Sequence, residues 1–291
     1  MQKYFYIFTH SFSGYWNYLS HEILHPHWAN YFYWLIGVSL IFWMLEIVFP
    51  WRKNQSIFRH DFWLDGFYMF VNFFLFSLVG FYAVSNVFVQ LFNDLLSLVG
   101  ITNGIAIEVA ALPLWAKLVF AFILKDFIQW NVHRLLHSNK YLWQFHQLHH
   151  SVKEMGFAAQ LRYHWMENVV YRSIQYIPLA MLGFGINDYL AANMIALVIG
   201  HFNHANVRLP LGPLKYIFNN PQMHIWHHAK HLPAAYPKGI NFGISLSIWD
   251  YLFGTDYIPY SGRDIELGFP GDDDFPTDFV HQEIWPAGRK K

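Results

Sequence analysis

Three histidine-rich segments, remote from one another in the chain, set the strongest limit on its fold. His133 and His137 are spaced HxxxH, and His146, His149 and His150 are spaced HxxHH. His224, His227 and His228 repeat the second spacing 78 residues later. Imidazole is the commonest side-chain metal ligand in its neutral form, which dominates at physiological pH. On a helix, residues three and four apart share one face, so each box is expected to aim its rings at one point. One ion takes about four to six ligands. Eight convergent imidazoles therefore suit two ions side by side, and the fold must gather the box-bearing helices around one cavity.

The setting for those helices follows from composition. The chain is 55% hydrophobic and 21% aromatic but only 13% charged, about half the charged share of a soluble domain. That balance predicts a membrane protein with aromatic belts at the interfaces. Lys plus Arg equals Asp plus Glu, 19 of each, so no global charge points to a nucleic-acid partner. Cysteine is absent, which excludes disulfides, iron–sulfur clusters and thiolate-ligated haem within the chain. The first twenty residues lack the basic start and small-residue cleavage site of a signal peptide.

A helix needs about 20 apolar residues to cross the hydrocarbon. Apolar runs predict spans over 31–49, 66–92 and 112–130, with 169–185 and 189–202 as a short hairpin dipping into one leaflet. Loop charges orient them. Residues 51–65 carry Arg52, Lys53 and Arg59, whereas 93–111 carry Asp94 and Glu108 and no Lys or Arg. Arg134, Lys140, Lys153 and Arg162 follow the third span. The positive-inside rule then puts the boxes and 205–291 in the cytoplasm. The expected architecture is all-α: a single multi-span membrane helix bundle over 1–291, with a cytoplasmic helical cap that holds a histidine-rich di-metal site.

Further polar residues sit beside the boxes. His201 and His204, spaced i, i+3 at the end of the hairpin, bring the candidate ligands to ten, about five for each of two ions. Ligating imidazoles usually donate their other N–H to a carboxylate or carbonyl. Asp126, Glu167 and Asp250 are candidate carboxylate acceptors, and at least one is expected to contact a box histidine. His164, Asn206 and His231 are further candidates for supporting or substrate-contact roles.

The boxes HRLLH, HQLHH and HIWHH, with RYHWMEN at 162–168 and HAN at 204–206, resemble the fatty acid hydroxylase / sterol desaturase superfamily. Asn241-Phe242-Gly243 leading into Trp249–Thr255 is similar to that family's closing signature. The resemblance covers about 50–258, with 1–30 as an N-terminal extension and 259–291 as a C-terminal tail. It implies a membrane-embedded, non-haem di-iron oxygenase acting on a sterol, fatty acyl chain or related lipid. It carries over His133, His137, His146, His149, His150, His204, His224, His227 and His228 as iron ligands. His201 stands closer to His204 than the family's hydroxylases place such a residue. With two Fe ions and O₂ the reaction is hydroxylation of a lipid C–H bond; the same site supports desaturation as the alternative. Electrons then come from a ferredoxin, a rubredoxin or cytochrome b5 with its reductase, since the chain has no flavin, nicotinamide or haem motif. A bacterial inner membrane or the endoplasmic reticulum suits such an enzyme.

Two competing readings draw on other features. His21-Glu22-Ile23-Leu24-His25 is a literal HExxH, the zinc-protease pattern with Glu22 as general base. Pro26 follows at once and disfavours helical geometry at His25. A membrane metal transporter is the third class, but transporters place polar residues at the midplane of several spans, and these histidines fall at span ends and in loops.

Overall fold

The computed structural model describes residues 2–27, 30–72, 84–100 and 109–287. Eleven α-helices run through them: α1 (Gln2–Leu24), α2 (Tyr31–Val48), α3 (Phe62–Phe70), α4 (Ser85–Leu98), α5 (Leu114–Ser138), α6 (Lys140–His150), α7 (Arg172–Met181), α8 (Ile186–His204), α9 (Pro221–His227), α10 (Ile248–Phe253) and α11 (Phe279–Ile284). A π-helical turn, Glu167–Tyr171, precedes α7. Extended structure among the described residues is confined to three isolated bridges, including Pro50 with Val207. The all-α expectation holds.

Among the described residues no helix is long and apolar enough to cross a membrane. The reasons differ by helix. α2 has 18 residues and rises about 27 Å, short of the roughly 30 Å of hydrocarbon. α5 has 25 residues but carries Lys117, Lys125, Asp126 and Arg134. α8 carries Asn187, Asp188 and two histidines. The expected span over 66–92 lies partly outside the described residues. The 169–185 span is instead a π-turn followed by the ten-residue α7, with Pro178 inside it.

Contacts divide the chain into two compact units. The first comprises Met1–Ile36, Val71–Ile128 and Trp165–Ile195. Its core is Val109, Ala121, Tyr176, Leu179, Phe184 and Tyr189. Lys3 Nζ and Tyr4 OH both reach Asp94 at 2.8 Å, tying α1 to α4, and Lys117 pairs with Asp188 at 2.9 Å.

The second unit comprises Gly37–Phe70, Gln129–His164 and Ala196–Lys291, and it contains every histidine of the three boxes. Local signals start its short helices. The Asn139 side chain accepts from Tyr141 N and Leu142 N to cap α6. Asn220 accepts from Met223 N to cap α9, with Pro221 in the first turn, where its missing N–H costs nothing. Gly254, left-handed at φ 66°, ends α10. The residues after α9 fold back over it: Ile225, Trp226, Ile240 and Leu267 share one apolar core with Trp51, Val152 and Met155. The tail 259–291, for which the sequence offered no match, packs Phe269 and Phe275 against Tyr68 and Leu148, and Trp285 Nε1 donates to Gln147 of α6 at 3.1 Å.

Candidate metal centre

Nine of the ten candidate histidines converge in two groups. His133, His137, His146, His150 and His227 form one; His149, His204, His224 and His228 form the other. Within each group the ligand atoms lie within 4.8 Å of one another. The expectation that each box aims at one point needs correction. Neighbouring residues on a helix are about 100° apart, so His149 and His150 cannot share a direction. Each HxxHH box therefore splits. α6 sends the i, i+4 pair His146 and His150 to the first group and His149 to the second. At α9 the assignment reverses, with His224 and His228 in the second group and His227 in the first.

Three rings have a fixed proton. The Nδ1 atoms of His133, His227 and His204 lie 2.7, 2.7 and 2.8 Å from the carbonyl oxygens of Phe242, Ile240 and Gly200. A carbonyl only accepts, so each Nδ1 bears the hydrogen and each Nε2 presents a lone pair inward. Those lone pairs face other ring nitrogens. His133 Nε2 is 3.1 Å from His146 Nε2, and His227 Nε2 is 3.1 Å from His150 Nε2. In the second group His204 Nε2 lies 3.0 Å from His224 Nε2 and 3.4 Å from His149 Nε2, and His224 to His228 is 3.2 Å. A single hydrogen cannot satisfy so many converging acceptors. Two imidazoles bound about 2.1 Å from one ion, at angles near 90–109°, stand about 3.0–3.4 Å apart, and the observed spacings match. Nδ1 of His224 and of His228, and Nε2 of His137, are buried without a hydrogen-bond partner.

Electrostatics agree with the donor set. Burial pushes the His133 imidazole down to about 4 and that of His204 to about 3. It pushes His137, His146, His149, His150, His224, His227 and His228 well below 6.5, with neighbouring rings adding in every case. Buried neutral imidazoles with inward lone pairs are the form that binds a cation. Aromatic walls keep the rings in place: Tyr163 stacks on His149 at 4.8 Å, and Trp143 lies 4.9 Å from His137 and 5.1 Å from His150.

The remaining candidates have other positions. His201 stands apart from both groups because its nitrogens are engaged elsewhere: Nε2 meets Ser39 Oγ at 2.9 Å and Nδ1 meets the Gln160 side chain. Asn206 accepts from Arg52 N at 2.8 Å and donates to Arg52 O at 3.2 Å, fastening the Pro50–Val207 bridge. His231 is exposed and faces Glu266 at 3.7 Å. His164 is buried against Phe145 and bonds the backbone of Glu283 and Trp285; burial holds it near 4. Beside it, buried Arg162 pairs with Asp61 at 2.8 Å and Asp65 at 3.2 Å. Asp126 and Glu167 are buried in the first unit. Among the described residues the HExxH histidines belong to neither metal-competent group. His25 Nδ1 caps its own turn on His21 O, and Glu22 pairs with His27 at 2.9 Å.

Asp250 supports the centre at one remove. It accepts from Trp130 Nε1 at 3.0 Å, Phe242 N at 2.9 Å, Gly243 N at 2.7 Å and Thr255 Oγ1 at 2.6 Å. The loop it holds supplies the carbonyls of Ile240 and Phe242 to His227 and His133. Asn241 completes the loop. At φ 51°, a left-handed conformation that asparagine tolerates, it donates to Met223 O at 3.0 Å and exchanges bonds with the backbone of Tyr257. The acceptors seen at His133, His227 and His204 are main-chain carbonyls. Main-chain acceptors have no side-chain signature; the only hint in the sequence was Asn241-Phe242-Gly243 followed by Asp250.

Residues 118–255 match the fatty acid hydroxylase family model, a stretch that includes both histidine groups, the Ile240–Gly243 loop and Asp250. That match, over just under half of the chain, supports the fatty acid hydroxylase / sterol desaturase superfamily that its boxes resemble. The chain is similar to the ornithine lipid hydroxylase OlsE of Rhizobium tropici, with 33% identity over 178 residues, covering 61% of this chain and 52% of that protein. The chain thus spans about half the length of this relative. No solved structure matches.

Proposed function

We propose that this chain is an O₂-dependent lipid hydroxylase that inserts oxygen into a C–H bond of a membrane lipid, with an iron ion in each histidine group. The observation that carries this reading is the pair of buried groups with inward nitrogen lone pairs inside the stretch that matches the fatty acid hydroxylase family model. His133, His137, His146, His150 and His227 would hold one ion, and His149, His204, His224 and His228 the other. When bound, the two irons supply the redox chemistry that activates O₂ toward an unactivated C–H bond.

The chain's own residues have separable tasks. The carbonyls of Phe242, Ile240 and Gly200 keep the hydrogen on Nδ1 of His133, His227 and His204, so that Nε2 stays free to coordinate. Asp250 and Asn241 hold the loop that carries two of those carbonyls. Trp143, Tyr163 and Phe242 exclude water from around the rings and orient them.

The relative's name, an ornithine lipid hydroxylase, supports a polar lipid as substrate. The aromatic-rich, charge-poor composition supports a membrane setting, and the Lys and Arg of 51–65 and 134–162 support a site on the cytoplasmic side. Electrons come from an external carrier, a ferredoxin, a rubredoxin or cytochrome b5 with a reductase. The test is lipid mass spectrometry of the reconstituted protein under ¹⁸O₂, with iron analysis alongside. Two irons per chain and a product heavier by one labelled oxygen are expected. Loss of two hydrogens would reassign the reaction to desaturation. Oxygen taken from water, or turnover without O₂, would reject the oxygenase reading.

A further inference from the structure

A second concavity in the unit that holds the histidines takes no part in the metal centre. It has a volume of about 450 Å³, and its charged walls are Arg52, Lys53, Lys153, Glu154, Arg263 and Asp264. The charges do not cancel. Lys153 pairs with buried Asp272, Arg263 pairs with Asp264 at 2.7 Å, and Glu154 accepts from His60 N at 2.7 Å. The Arg52 guanidinium bonds only neutral groups, Gln55 Oε1 at 2.8 Å and Met155 O at 2.6 Å. Lys53 is exposed, with no ion pair among the described residues. Neither Arg52 nor Lys53 has an ion pair of its own among the described residues; the carboxylates of Glu46, Glu154 and Asp264 act on Arg52 only through space, and the four cationic walls outnumber the two anionic ones.

The size of the cavity also discriminates. It falls within the roughly 300–1,000 Å³ of small-ligand sites, whereas docking a carrier protein needs a surface of about 800 Å² per partner. Guanidinium and ammonium groups together recognise phosphate oxygens, the first as a planar fork and the second as a point charge. The walls are continuous with the metal-binding segments. Lys153 and Glu154 follow His150 by three and four residues, and Ile225, which also lines the cavity, sits between His224 and His227. Leu267, another wall residue, precedes Gly268, whose N–H bonds His228 O at 3.1 Å.

We propose that this cavity binds a phosphate group, carried by a lipid headgroup or free in solution, through Arg52, Lys53 and Arg263. As the headgroup end of a substrate lipid it rests on the hydroxylase reading; as a phosphate site it does not. The probes are inorganic phosphate, followed by calorimetry, and phosphatidylcholine vesicles doped with phosphatidic acid, followed by co-sedimentation. Both are applied to the full-length protein and to the double variant Lys53→Glu/Arg263→Glu. Both side chains are exposed, so the variant should keep its metal content and melting temperature.

Saturable phosphate binding that weakens about tenfold or more in the variant is expected. A parallel fall in vesicle retention assigns the group to a lipid headgroup. Lost phosphate binding with unchanged vesicle retention assigns it to free phosphate. Failure of the wild type to bind phosphate saturably, or equal binding by the variant, overturns the proposal. So does a variant that binds phosphate normally but is reduced more slowly by an acidic electron carrier, which would mark a docking face. None of these readouts needs turnover, so failure of this site and failure of the hydroxylase reading are separately visible.

Discussion

Replacing Asp250 by asparagine tests the loop that presents carbonyls to the histidines. The aspartate accepts four hydrogen bonds: three at Oδ1, from Trp130, Phe242 and Thr255, and one at Oδ2, from Gly243 N at 2.7 Å. Asparagine has one acceptor oxygen. With that oxygen at the three-donor side, its NH₂ faces the Gly243 N–H, donor against donor. A buried donor left unpaired costs about 1–3 kcal/mol. The three surviving bonds change from charge-assisted to neutral, losing roughly half their strength. The sum is about 2–5 kcal/mol against a typical total stability of about 5–15 kcal/mol. The loop should shift, and with it the Phe242 carbonyl that fixes His133. A disturbed support of this kind typically lowers metal affinity about 10–100-fold.

Two assays follow the prediction: the melting temperature of the purified protein, and iron retention against a graded chelator. Asp250→Asn should melt earlier and release iron at lower chelator. Thr255→Val, which removes one bond, should show the same trend at about 1 kcal/mol. Wild-type melting and iron retention in Asp250→Asn would refute the argument that this carboxylate organises the centre.

Other expectations are as concrete. His227→Ala should lose iron and activity, whereas His201→Ala should keep its iron, because the His201 nitrogens bond Ser39 and Gln160; iron analysis of both variants separates ligand from neighbour. Gly239→Ala should destabilise by about 1–3 kcal/mol, since its φ is +100° and a Cβ would lie 3.0 Å from His137 Nδ1; a wild-type melting temperature would count against it. The metal-free protein should lose stability as pH falls. His133 and His204 are held near 4 and 3 in the fold against an ordinary 6.5, so below about pH 6.5 the unfolded chain binds protons that the folded chain refuses. Each such group contributes a slope of up to about 1.4 kcal/mol per pH unit, and urea midpoints that stay flat or rise between pH 7.5 and 5 would contradict the burial of neutral rings.

The parts of this site visible in the sequence were those encoded by short-range spacing. HxxxH and HxxHH put rings within a helical turn of one another, and all eight of those rings do converge, joined by His204. Their division into two groups was not visible, because it depends on how α6 and α9 are rotated about their own axes, which spacing alone leaves open. The acceptors at His133, His227 and His204 were missed because carbonyls belong to every residue; only the left-handed Asn241 and the four-fold acceptor Asp250 reveal why that loop is held. His201 looked like a ligand by its spacing to His204, yet its partners Ser39 and Gln160 lie 162 and 41 residues away. The helical class was legible from apolar runs, but the run lengths overstated the spans. α2 stops at Val48 and α5 carries charges through its middle, so hydropathy marked where helices form better than how far apolar surface extends.

The split boxes have a consequence for assembly. α6 and α9 are joined at two points, each helix giving two rings to one ion position and one ring to the other. An ion leaving the second position would release His149 from α6 and His224 and His228 from α9, freeing both helices to turn about their axes. A turn that relaxes those rings also carries His146, His150 and His227 away from the first position. The two positions therefore share one mechanical state. If each group holds an ion, filling the first would rigidify the helices that line the second, and the centre should load and empty in pairs.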